Sequence, residues 1–185
     1  MAVMSESLPL AEARSLVARA KAGDFGALEH LYRAYERSVY TFARRLTKTA
    51  EDAEDVLQET FLEVCRSIAT WRGEGSLWGW IRTIAASKAL MRYRREKVRE
   101  TEELDAALEG RIGARGEDLP LRLDLEQALE RLSERTRAVV WLHDVEGYTH
   151  EEIAELMGMT TSFSKSQLAR AHQKLRRWLG EGASA

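Results

Sequence analysis

The sequence predicts an all-α protein built from two small helical domains joined by a flexible acidic linker. Apolar residues recur at three- and four-residue intervals almost from end to end, and no stretch alternates strictly as a strand would. Only two prolines, Pro9 and Pro120, stand among 185 residues, so long helices are permitted. One stretch, Glu100 to Pro120, loses the period, gathers acids and carries Gly110, Gly113 and Gly116, which is the composition of a linker.

In chain order, residues 1–23 read as a helical extension. Leu10, Ala13, Val17 and Ala20 form its apolar face, and Gly23 is placed to end it. Residues 24–98 read as the first domain. Leu28, Leu31, Tyr32 and Tyr35, then Val39, Phe42, Ala43 and Leu46, give one helical face. Ala53, Leu57, Phe61, Val64 and Ile68 give the next, with Asp52, Asp55, Glu59 and Glu63 on the opposite side. Leu77, Trp80, Ile81, Ile84, Ala85 and Leu90 make a helix that turns basic as it ends. Residues 99–120 are the expected linker, 121–179 the second domain and 180–185 a tail. Leu121 to Leu132 and Glu134 to Val145 read as the second domain's opening helices.

Thr149-His150-Glu151-Glu152 is a capping box, Gly158 is a helix stop, and the turn Met159 to Ser162 leads to a longer helix. That helix has Ser164, Leu168, Ala171, Leu175 and Trp178 inside, and Ser166, Arg170, Gln173 and Arg177 outside. A short helix, a glycine turn and a longer basic helix follow the helix-turn-helix plan, whose second helix enters the major groove.

Composition excludes several classes. The chain is 31% charged and 44% hydrophobic, and it has no apolar run long enough to span a bilayer, so no membrane insertion is expected. Its first residues lack the basic and apolar regions of a signal peptide, so a cytoplasmic location is expected. Cys65 is the single cysteine, which rules out an internal disulfide, and the four histidines show no metal-ligand spacing. No cofactor is expected.

The net charge of −2 is a sum of opposed blocks. Glu51, Asp52, Glu54, Asp55, Glu59 and Glu63 meet no base until Arg66. Arg82, Lys88, Arg92, Arg94, Arg95, Lys97 and Arg99 are interrupted only by Glu96, and Lys165, Arg170, Lys174, Arg176 and Arg177 have no acid among them. Local fields of this kind, rather than their total, select partners.

A further stretch, WRGEGSLWGW from Trp71 to Trp80, holds three of the five tryptophans and three of the twelve glycines. Packing at a helical corner is the favoured reading for its three tryptophans, Trp71, Trp78 and Trp80, together with Leu77; facing DNA stays open as an alternative for Trp78.

AEDVLQETF (Ala53 to Phe61), WRGEGSLWGWIRTIA (Trp71 to Ala85) and GYTHEEIAELMGM (Gly147 to Met159), in this order and at these separations, resemble the extracytoplasmic-function group of bacterial RNA polymerase sigma factors. The resemblance implies that residues 24–98 are sigma region two and 121–179 region four. It implies that Asp52, Glu54, Asp55, Gln58 and Glu59 dock on the clamp helices of the largest subunit of core RNA polymerase, with the beta flap as a second contact. It implies that Trp71, Arg72, Gly73, Glu74, Gly75 and Ser76 border a pocket for a base flipped from the minus-ten element of promoter DNA, flanked by Ser87, Lys88 and Arg92. It places Phe163, Lys165, Ser166, Gln167, Arg170 and Lys174 at the minus-thirty-five element. An anti-sigma factor is an implied further partner. Ser87 and Met91 depart from the asparagine and polar residue common in the family, and Gln167 stands where an arginine is usual. That glutamine offers either a neutral substitute for a phosphate contact or bidentate reading of adenine.

Two other classes compete. A stand-alone helix-turn-helix regulator leaves the acidic block and the glycine loop without a purpose. A hydrolase using the acids of residues 51–63 lacks a nucleophile, a metal pattern and a pocket, because those acids run along one helix face.

Overall fold

A computed structural model describes residues 8–104 and 125–180, with side chains described for 8–91 and 125–179. Every described element is helical, and the helices fall into two compact units. The first unit holds α1 (Leu10–Lys21), α2 (Phe25–Leu46), α3 (Ala50–Ser67) and the start of α4 (Leu77–Leu104). Asp24 caps α2 by accepting from the Ala27 N–H, and Thr49 caps α3 through the Asp52 N–H. The first turn of α3 carries Glu51 and Asp52, where the helix dipole favours negative charge. The apolar stripes close a core of Leu16, Leu31, Tyr35, Val39, Leu46, Val56, Val64, Ile81 and Leu90.

Three expectations are refined here. Helix α1 packs on α2 and on the 3-10 turn Ile68–Thr70, so it is built into this unit rather than appended to it. Leu10 of its expected apolar face is 43% exposed, and Leu16 is buried in its place. Trp78 is half-buried and takes part in the packing. It stacks on Tyr35 at 6.1 Å between centroids and meets Phe42 edge-on at 6.5 Å, which packs α4 against α2.

Helix α4 runs on to Leu104, past the expected linker boundary at residue 99. Residues 91–104 contain neither glycine nor proline and are rich in Arg and Glu, which favour helix. The rest of the expected linker, residues 105–120, and residues 121–124 lie outside the described residues.

The second unit contains α5 (Leu125–Glu130), α6 (Glu134–Val140), α7 (His150–Met157) and α8 (Thr161–Gly180), with a wide π-type turn at Trp141–Val145. Helices α5, α6 and α7 all pack on α8. The capping box at Thr149 and Glu152 is present, and Gly158 ends α7 with a φ of +64°, a left-handed value that suits glycine. Helix α8 starts at Thr161, two residues earlier than the expected turn allows. Thr160 makes this possible, since its Oγ1 accepts the Phe163 N–H at 3.1 Å.

Candidate functional site

Helix α3 builds an acidic face by burying Ala53, Val56, Thr60, Phe61 and Val64 beneath it. Glu54, Asp55, Gln58 and Glu59 are all exposed, while Asp52 is half-buried. Leu62 lies on the same exposed side at 57% exposure, one turn beyond Gln58 and Glu59. Leu62 falls outside the apolar stripe of Ala53, Leu57, Phe61, Val64 and Ile68, so periodicity already turns it outward, but a single exposed apolar residue carries no signal of its own in a sequence.

Glu63 does not belong to this exposed face; it is half-buried. Its Oε2 accepts from Lys88 Nζ at 2.9 Å, joining α3 to α4. The hydrogen bond and charge of Lys88 hold the Glu63 carboxyl below the usual carboxylate range. A depressed carboxyl contributes stability that is complete above its unfolded-state pKa and is lost as the pH falls through the lowered folded value. The Glu63→Gln chain is expected to be less stable than its parent near neutral pH. The gap should shrink in acid, from about pH 4.3, the ordinary glutamate value, downward. Melting temperatures across that range check this; a gap independent of pH would show that the pair contributes nothing through ionisation.

The loop after α3 is shaped from both ends. Gly73 and Gly75 take φ values of +77° and +70°, which bend the chain twice within three residues. Arg72, Glu74, Gly75 and Ser76 are exposed, and Gly73 is buried. Trp71 is only 5% exposed, so its ring cannot present a face to a base. It belongs to the buried core of this unit. Arg14 of α1 donates twice to the Gly73 carbonyl, from Nε at 3.1 Å and Nη2 at 2.8 Å. Lys21 donates to the Trp71 carbonyl at 2.8 Å.

On α4, Ser87 is half-buried and Met91 is 37% exposed. Lys88 is engaged with Glu63, which limits its reach beyond the bundle. The Arg92 side chain lies outside the described residues.

In the second unit, α8 presents Lys165, Arg170, Gln173, Lys174, Arg176 and Arg177 on exposed positions. Phe163 is half-buried beside the helix start, and the Ser166 hydroxyl donates to the Phe163 carbonyl at 2.9 Å. Gln167 is turned the other way. Its Oε1 accepts from Thr136 Oγ1 at 2.8 Å, tying α8 to α6. That oxygen is thus engaged within the second unit.

Three histidines lock the same unit. Asp144 meets His172 Nε2 at 2.6 Å and His143 Nδ1 at 2.8 Å. The His143 and His150 rings stack at 4.6 Å, and His150 Nδ1 meets the buried Ser164 hydroxyl at 3.0 Å. Burial pushes the Asp144 carboxyl up, but the His172 and His143 hydrogen bonds outweigh it and leave the group below its ordinary value. No group of three or more His, Cys, Asp or Glu among the described residues is arranged to hold a metal ion.

One helical unit thus carries an acidic face and a glycine loop, and the other ends in a helix-turn-helix. Residues 31–99 match the family described as Sigma-70 region 2, and residues 122–175 match Sigma-70 region 4. The ECF RNA polymerase sigma factor SigM of Mycobacterium tuberculosis (strain H37Rv) is 32% identical over 89% of this chain and 83% of its own. The RNA polymerase sigma factor CarQ of Myxococcus xanthus is 33% identical over 88% of this chain and 95% of its own. The fold is similar to that of the sigma factor RpoE solved with the anti-sigma factor NepR from Bartonella quintana, at a TM-score of 0.51 and 22% identity, covering 81% of this chain and 94% of that one. CnrH, solved with the cytosolic domain of CnrY, also gives a TM-score of 0.51, at 21% identity over 94% of this chain and 99% of that one. The chain belongs to the extracytoplasmic-function group of RNA polymerase sigma factors and directs promoter-dependent transcription initiation. No helix among the described residues is long and apolar enough to cross a membrane.

Proposed function

We propose that the chain is a dissociable, non-catalytic initiation subunit that works in the cytoplasm. Its α3 face of Glu54, Asp55, Gln58 and Glu59, edged by Asp52, docks on the clamp helices of the largest polymerase subunit. Leu62 supplies an apolar anchor within that polar contact, the arrangement typical of protein interfaces. The second domain lies against the beta flap and reads the minus-thirty-five element through Lys165, Ser166, Arg170 and Lys174. Exposed Arg72, Glu74, Gly75 and Ser76 receive a flipped minus-ten base. Extrusion of a base costs a few kcal/mol and is offset by stacking and hydrogen bonds in a pocket. An anti-sigma factor covers one or more of these surfaces when transcription is off, as the complexes formed by fold relatives suggest.

The observation that carries this proposal is the exposed acidic face of α3. Acids held along one helix face repel one another, and they serve no catalytic purpose without a pocket or nucleophile. A basic partner surface gives them a use.

Run-off transcription with purified core polymerase tests the proposal. The free chain is expected to bind promoter duplex weakly, and core polymerase is expected to make binding tight and specific. Tight, sequence-specific binding by the chain alone, with no transcript from core, would instead indicate a stand-alone regulator.

A further inference from the structure

The base-holding loop is fastened by a helix outside the two stretches that match the family. Arg14 lies 59 residues before Gly73 in sequence, yet it forks onto that single carbonyl with two donors. Its stem also covers the α-carbon face of Gly73. A Cβ built there would stand 3.3 Å from Arg14 Nε, 3.7 Å from Cγ and 3.9 Å from Cδ. Lys21, two turns further along α1, holds the Trp71 carbonyl.

The two carbonyls flanking Arg72 are thus both taken by cations from α1. That leaves Arg72, Glu74, Gly75 and Ser76 to face outward. A glycine-rich loop has many backbone conformations open to it, and fixing one of them costs entropy. A guanidinium fork and an ammonium on alternate carbonyls oppose that cost with charge-assisted hydrogen bonds, the stronger kind. The cradle is ordered before any base arrives, so less of the binding energy is spent on ordering it.

We propose that Arg14, with Lys21 in support, is a positioning residue that presets the minus-ten loop and thereby sharpens its discrimination among flipped bases. This rests on the proposed role of residues 72–76 in base capture, while the clamp itself is a property of the free chain.

The test uses the full chain carrying Arg14→Gln, Arg14→Lys or Lys21→Gln. Two measurements are made: amide hydrogen exchange of residues 72–76 in the free protein, and promoter opening with core polymerase on duplexes differing only in one minus-ten base. Arg14→Gln is expected to speed loop exchange by about tenfold, on the order of one charged hydrogen bond. It is expected to narrow the preference between best and worst bases by a similar factor. Core capture should stay at the parental value, and the melting temperature should fall by no more than the loss of about one such hydrogen bond implies, because the buried face of α1 is untouched. Arg14→Lys keeps the charge but loses the fork, so it should restore only part of each effect. Lys21→Gln should give a smaller change of the same kind.

Unchanged loop exchange in Arg14→Gln overturns the clamp. Faster exchange with parental base preference overturns the positioning role. A uniform fall on every duplex, with the preference among bases unchanged, also overturns it by assigning Arg14 to stability alone. If the parent opens no promoter with core, the base-capture reading fails and the positioning role fails with it. The exchange data still decide the clamp.

Discussion

Reversing the charge of Asp55 and Glu59 together to lysine is expected to abolish capture of core polymerase, with a loss of at least about a hundredfold in affinity. The two residues stand four apart on the exposed face of α3, so they present to one partner surface. The substitution removes two attractions and introduces two repulsions. Like charges brought together across an interface cost several kcal/mol, enough for a loss of this size. The helix itself should survive. Its buried face of Val56, Thr60, Phe61 and Val64 is unchanged. Both residues lie beyond the first turn, where the helix dipole would penalise a cation. The measurement is co-purification with core polymerase, read beside the far-ultraviolet helical spectrum. Undiminished co-purification with a normal spectrum would remove the docking role from this face. Leu62→Ala is a useful companion, since it tests the apolar contact without altering charge.

The second large effect separates the two DNA-reading parts. Arg170 is exposed on α8, one turn after Ser166 and opposite the buried Leu168 and Ala171. With α8 in the major groove, Arg170→Ala is expected to weaken duplex binding at the minus-thirty-five element by roughly 1–3 kcal/mol, the usual worth of a good base contact. Strand opening at the minus-ten element should be nearly unaffected once the complex has formed. Substitutions at Arg72 to Ser76 should do the reverse, allowing closed complexes to form while melted ones fail. Permanganate reactivity of promoter thymines, measured beside duplex affinity, distinguishes the two. Equal loss of both properties in both sets of variants would show that the parts act as one coupled unit, or that the variants are misfolded.

Sequence alone determined whatever depends on local chemistry and short spacing. The all-helical class followed from apolar periodicity and from the scarcity of proline. The start of α7 followed from Thr149 and Glu152, and its end from Gly158, because a capping box and a left-handed glycine act within a few residues. The exposed α3 acids followed from their placement opposite an apolar stripe, and the order of three motifs was enough to point to the family.

Tertiary structure decided whatever depends on residues far apart. Arg14 and Gly73 are separated by 59 positions, Glu63 and Lys88 by 25, and Thr136 and Gln167 by 31. Nothing in their local spacing announces these pairs, and each changed the reading of a candidate site residue. Gln167 became partly structural, Lys88 became half of an ion pair, and the loop acquired a clamp from α1. The contacts of Trp78 with Tyr35 and Phe42 were decided in the same way. Hydrophobicity sets the preference of a side chain for burial, but the packing of neighbouring helices decides which apolar residue is covered and which is left at the surface.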